Sequence, residues 1–114
     1  MAEEMRRDER VFVAGEDVGP GGVFGVTRGL QKEFGKWRVK DTPISEQAIT
    51  GLAVGASVGG LRPVVEMMYN DFMSLAIDAL TTHACSLQWL LGDGYKLPLV
   101  IRCVVASGFG GGMH

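Results

Sequence analysis

Glu46 is the residue whose setting could do chemistry. It closes the run Asp-Thr-Pro-Ile-Ser-Glu over Asp41–Glu46, and the chain carries no further charge until Arg62. Pro43 sets an extended approach, Ser45 can cap a helix start, and Glu46 then falls in the first helical turn. A lone carboxyl at the mouth of an apolar helix can exchange a proton with a ligand that water does not reach, because desolvation disfavours its charge. The helix N-terminus favours that charge and opposes the effect. A blander reading stands beside this one: first-turn acids commonly do no more than complement the helix dipole at the surface.

Glu16, with Asp17 next to it, lies just past the apolar run Val-Phe-Val-Ala-Gly over Val11–Gly15, where open parallel sheets gather their ligands. Its alternative is an exposed acid at a strand end. The loop Gly19–Gly25 is rich in glycine but lacks the lysine of a P-loop and the spacing of a dinucleotide fingerprint, so it reads as a plain mobile connection. His83 falls on an apolar helical stripe and reads as a core or interface histidine. Met67, Met68 and Met73 read as core filler. Gly92-Asp93-Gly94 follows a helix and reads as a turn. Cys85 and Cys103 have no metal-ligand spacing and make no disulfide framework, so the default is a reduced intracellular compartment.

The elements that must position these groups alternate. A charged helix over Ala2–Asp8 precedes a buried strand over Val11–Gly15, and a helix over Thr27–Phe34 closed by Gly35 precedes a brief strand over Arg38–Lys40. After Glu46 comes an uncharged helix with Gly51, Gly55 and Gly59 spaced four apart, a face that another backbone can approach closely. A strand over Arg62–Met68 follows. A long helix capped by Asn70 or Asp71 then runs to Gly92, its stripe including Phe72, Leu75, Ala76, Ala79, Leu90 and Leu91. The last strand covers Pro98–Val105. Strands alternating with helices predict an α/β fold, a three-layer sandwich whose central sheet is mainly parallel.

At 114 residues the chain has room for one domain, and 46% hydrophobic against 21% charged residues is apolar for that size. Partners are expected to cover part of its surface. A formal charge of −2 with no basic run argues against nucleic acid as a partner. The charged opening Ala-Glu-Glu-Met-Arg-Arg is no secretory segment, and the uncharged run Gln47–Leu61 is too short to cross a bilayer.

Several motifs then fall in order: Gly-Glu-Asp-Val-Gly over Gly15–Gly19, Val-Thr-Arg-Gly-Leu over Val26–Leu30, Asp41–Glu46, Gly-Leu-Arg-Pro-Val-Val-Glu over Gly60–Glu66, Asp71-Phe72, and Pro-Leu-Val-Ile-Arg over Pro98–Arg102. With these the chain closely resembles the β-subunit of the thiamine diphosphate-dependent decarboxylating component of 2-oxoacid dehydrogenase complexes, the pyruvate, branched-chain and acetoin types included. The resemblance covers essentially all of the chain and the N-terminal part of such a subunit. It implies a truncated, transketolase-like pyrimidine-binding domain over residues 1–114.

The resemblance implies the following roles. Glu46 is the acid that exchanges a proton with N1′ of the cofactor's aminopyrimidine. Ile44 lies near the bend of the cofactor and Phe72 packs against its pyrimidine ring, or else Phe72 is simply the first core residue of its helix. Glu16 is among the acids on the path between paired active sites. His114 stands roughly where the family has a histidine facing the substrate end of the site, or else it is the end of a disordered glycine tail. The diphosphate and its magnesium belong to a partner α-subunit, and no metal is expected on this chain. Further implied partners are a second β-subunit, completing a heterotetramer, and an acyltransferase core with a lipoyl domain. The implied location is the bacterial cytoplasm or the mitochondrial matrix. Two rivals remain: a non-catalytic assembly or regulatory module of the same fold, and a nucleotide-binding α/β domain.

Overall fold

The computed structural model describes residues 1–92 and 94–105. The apolar runs form one sheet from β1 (Val11–Gly15), β2 (Val39–Asp41), β3 (Arg62–Met67) and β4 (Val100–Cys103), all parallel, in the order β2-β1-β3-β4. Val13 lies opposite Val39 on one side and Val64 on the other. Helices cover both faces. Met5 of α1 (Ala2–Arg7), with Leu30 and Phe34 of α2 (Leu30–Phe34), packs on Val11, Val13 and Val39. On the opposite face, Ile49 and Ala53 of α3 (Glu46–Val58) pack on Ala14 and Val65. Burial on both faces is why the strands read as unbroken apolar runs rather than alternating ones. The expected three-layer α/β architecture is present.

The chain leaves β1 towards one side of the sheet, forms β2, and returns past β1 to form β3 on the other side. The connections after β1 and β3 therefore depart in opposite directions, which opens a crevice at the carboxyl ends of these two neighbours. The outer edge of β2 is closed off by its own surroundings. Val39 N–H donates to Gly35 O at 3.0 Å, and Gln31 Nε2 donates to Val39 O at 3.0 Å. A sheet edge satisfied in this way offers little to a stray strand.

Local chemistry corrects several expectations. The helix expected over Thr27–Phe34 starts only at Leu30, because Gly29 sits at φ 85° and Thr27 is spent on the loop before it, donating its buried hydroxyl to Val18 O at 2.7 Å. That loop is no mobile connection. Val18 and Thr27 are fully buried, Gly19 N–H donates to Asp41 Oδ1 at 2.7 Å, and Gly22 N–H donates to Asp17 O at 2.8 Å. Ser45 does occupy the N-cap position of α3, but its hydroxyl makes no capping bond; its carbonyl accepts from Ile49 N–H at 2.9 Å.

The long helix expected from Asn70 runs unbroken to Leu91 but is not a regular α-helix: it opens as 3₁₀ turns over Asn70–Ala76, passes through a π turn over Ala79–Ala84, and ends as α4 (Cys85–Leu91). Tyr69 holds the first cap position, and neither Asn70 nor Asp71 caps it. Of the stripe, the small residues Ala76 and Ala79 are buried while Leu75, Leu90 and Leu91 are exposed. Little side-chain packing therefore enforces a regular 3.6-residue repeat, and most of a short helix's stability comes from such packing. His83 is likewise not a core residue; its exposed ring has Nδ1 3.9 Å from Asp78 Oδ2. Met67 is fully buried, as expected, whereas Met68 and Met73 are half-buried. No helix among the described residues is long and apolar enough to cross a membrane.

Candidate functional site

The crevice has a volume of about 480 Å³. Glu16, one residue past β1, and Glu46, the first residue of α3, line it together with Asp17 and Thr42. Ile44, Met68, Phe72 and Leu75 supply its apolar walls. A main-chain bond ties the two acidic segments together: Thr42 N–H, just past β2, donates to Gly15 O at 3.0 Å. Phe72 and Leu75 come from the 3₁₀ turns, where residues three apart lie in register, so one wall takes both side chains from a single row. Asp17 is the one described non-glycine residue in the left-handed region, at φ 53°, a strained turn immediately beside the acid it follows.

Both acids are buried, Glu16 to 9% exposure and Glu46 to 7%. Neither carboxylate has a hydrogen-bond partner among the described residues, and the buried hydroxyl of Thr42 is also unpaired. Burial, and then the negative charges of Glu46 and Asp17, hold the Glu16 carboxyl above its ordinary range. The folded chain therefore keeps the Glu16 proton at pH values where the unfolded chain has released it. This group weakens the fold as pH climbs from the ordinary carboxylate range towards its folded value. Glu16→Gln is expected to leave stability unchanged in acid and to raise it at neutral pH. Urea denaturation of both chains across that window checks the prediction, and a difference that stays flat with pH would refute it.

The structure brings the sequence candidates Glu16, Ile44, Glu46 and Phe72 into one crevice, with Ile44 at its open rim, 80% exposed. His114 lies outside the described residues, as does Asp93 of the Gly92–Gly94 segment; Tyr95 N–H donates to Gly92 O at 3.1 Å, which is turn geometry. Sequence reasoning missed Thr42, Met68 and Leu75. The i, i+3 relation of Phe72 and Leu75 was a usable signal for the last of these, and the place of Met68 directly after a strand was one for the second. No group of three or more His, Cys, Asp or Glu residues able to hold a metal occurs among the described residues.

Comparison with known proteins agrees with this fold. Residues 1–114 match the family described as the transketolase pyrimidine binding domain. Over 115 residues the chain is 44% identical to the β-subunit of 2-oxoisovalerate dehydrogenase from Bacillus subtilis, covering 100% of this chain and 34% of that protein. It is 45% identical over 112 residues to the β-subunit of the pyruvate dehydrogenase decarboxylating component from the same organism, covering 97% of this chain and 33% of that one. A third relative, the β-subunit of acetoin:2,6-dichlorophenolindophenol oxidoreductase from Bacillus subtilis, is 39% identical over 118 residues, covering 92% of this chain and 34% of its own length. The chain thus spans about a third of the length of the curated relatives it matches. With the family match running from end to end, over a parallel sheet whose switch-point crevice carries two buried acids, the chain belongs to the transketolase pyrimidine-binding domain family.

Proposed function

We propose that this chain forms one domain that supplies the pyrimidine end of a thiamine diphosphate site in the decarboxylating component of a 2-oxoacid or acetoin dehydrogenase. The observation that carries the proposal is Glu46: a buried carboxyl without a hydrogen-bond partner among the described residues, at a helix start, in a crevice with apolar walls. The residues present fit an aminopyrimidine. Such a ring needs a carboxyl at one edge and apolar surfaces along its faces, and the crevice holds polar groups left unsatisfied among the described residues, Thr42 Oγ1 included.

Thiamine diphosphate, when bound, supplies the carbon nucleophile that a 2-oxoacid needs in order to lose carbon dioxide. Glu46 holds a proton at the pyrimidine nitrogen N1′ and exchanges it there. Phe72 and Ile44 wall the ring. Burial and its acidic neighbours hold the Glu16 carboxyl, beside Glu46, above its ordinary range. Both walls are incomplete in this chain, since Ile44 and Leu75 are exposed. A partner α-subunit closes the crevice and carries the diphosphate and its magnesium, a second β-subunit pairs the sites, and a lipoyl-bearing acyltransferase receives the acyl group.

Mixing the chain with a cognate α-subunit, thiamine diphosphate and magnesium is expected to restore 2-oxoacid decarboxylation that neither chain shows alone. A complex that assembles without turnover would overturn the proposal in favour of an assembly module. Calorimetric binding of ATP or NAD to the chain alone would overturn it in favour of a nucleotide-binding domain.

A further inference from the structure

At the opposite end of the sheet, by the amino ends of the strands, a second groove of about 200 Å³ has no part in the crevice chemistry. Its floor is apolar: Phe12 of β1, Leu52 of α3, and Leu61 ahead of β3. Trp37 stands on its rim at 86% exposure, with Lys40 Nζ 5.0 Å from the ring centroid. A tryptophan left in water beside open leucines is the amphipathic, low-entropy type of contact residue that anchors protein interfaces.

The charge around this floor leans positive, with Arg38 and Lys40 set against one lining carboxylate, Glu9. Arg38 donates through Nε and Nη2 to the carbonyls of Met5, Asp8 and Val11, which are neutral partners, so its positive charge survives and Nη1 is left over. No carboxylate among the described residues pairs with Arg38 or with Lys40. Arg10 is already matched by Asp8 at 2.8 Å. An excess of cations over an apolar floor complements an anion with an apolar body.

We propose that this groove docks an acidic segment of a partner polypeptide, seating one large apolar side chain on Phe12, Leu52 and Leu61 while flanking carboxylates meet Lys40 and Arg38 Nη1. A nucleic acid fits less well. A single exposed ring offers little for successive bases to stack on.

The test uses the full chain carrying Trp89→Phe, which leaves Trp37 as its only tryptophan. Titration with the peptide acetyl-EELFEE-amide at low salt should shift Trp37 emission to the blue and saturate below ~1 mM, an affinity ordinary for a single small contact. Binding should weaken about tenfold on adding salt, because rim charges are screened. Lys40→Glu should abolish it, with Lys40→Gln as the milder variant if the first fails to fold. Trp37→Ala, followed by calorimetry, should abolish it as well. Equal binding of acetyl-QQLFQQ-amide, indifference to the Lys40 substitutions, tighter binding of oligothymidylate, or no saturation would each overturn the proposal.

Discussion

Replacing Glu46 with glutamine is expected to cut 2-oxoacid decarboxylation by the reconstituted enzyme about 10²- to 10⁴-fold, the usual contribution of a positioned proton-transfer group. Glutamine keeps the length and the planar end of the side chain, so the start of α3 and the packing of Ile49 and Ala53 on the sheet remain as they are. What disappears is the exchangeable proton. The folded chain should not suffer, because a buried carboxyl without a partner among the described residues gives up no hydrogen bond on becoming an amide. The same substitution has a second readout that needs no cofactor. Glu46 is one of the charges that raise Glu16, so in the Glu46→Gln chain the Glu16 carboxyl should titrate closer to its ordinary range, as followed by carbon NMR. Full activity in the variant would sink the assignment of Glu46, and an unmoved Glu16 would sink the electrostatic link between the acids.

Arg38→Met should cost roughly 3 kcal/mol of folding stability, within the range expected when a charged donor to several buried acceptors is lost. The guanidinium reaches Met5 O at 2.6 Å, Asp8 O at 3.0 Å and Val11 O at 2.8 Å, and it lies 5.1 Å from the centroid of the Phe34 ring. One side chain thus joins α1, the start of β1 and α2. Methionine fills much of the same volume but takes the donor away from the Met5 and Val11 carbonyls, while Asp8 O keeps the Val11 N–H at 3.2 Å. Arg38→Lys should recover little, because a compact ammonium cannot reproduce a planar fork. In a domain whose whole stability is about 5–15 kcal/mol, such a loss is plain in a urea melt. A change below ~0.5 kcal/mol, the size of an ordinary surface substitution, would show that these contacts are incidental.

How far the sequence reached is seen best in particular stretches. Val11–Gly15 and Arg62–Met67 announced themselves because burial on both faces removes the polar residues that would blur a strand. Glu46 and Glu16 were legible for a related reason: each follows or opens an element at the end where ligands collect. The stretch Asn70–Leu91 was not. Its three-and-four apolar spacing suits an α-helix, but only alanines of the stripe are fully buried, and spacing alone does not report which residues a partner is left to cover. Thr42 was invisible for another reason. Its place in the crevice comes from the pairing of β2 with β1, a long-range fact that no local pattern carries.

That pairing means the distance between the two acids is set by strand alignment. Gly15 lies opposite Asp41, and the next rung, Thr42 N–H to Gly15 O, fixes how far the chain travels before Glu46. A shift of β2 by a single residue would turn Val39 out of the core and carry Glu46 away from Glu16 in the same movement. Misalignment and loss of the acid pair are thus one event, and the hydrophobic penalty that forbids the first also protects the second.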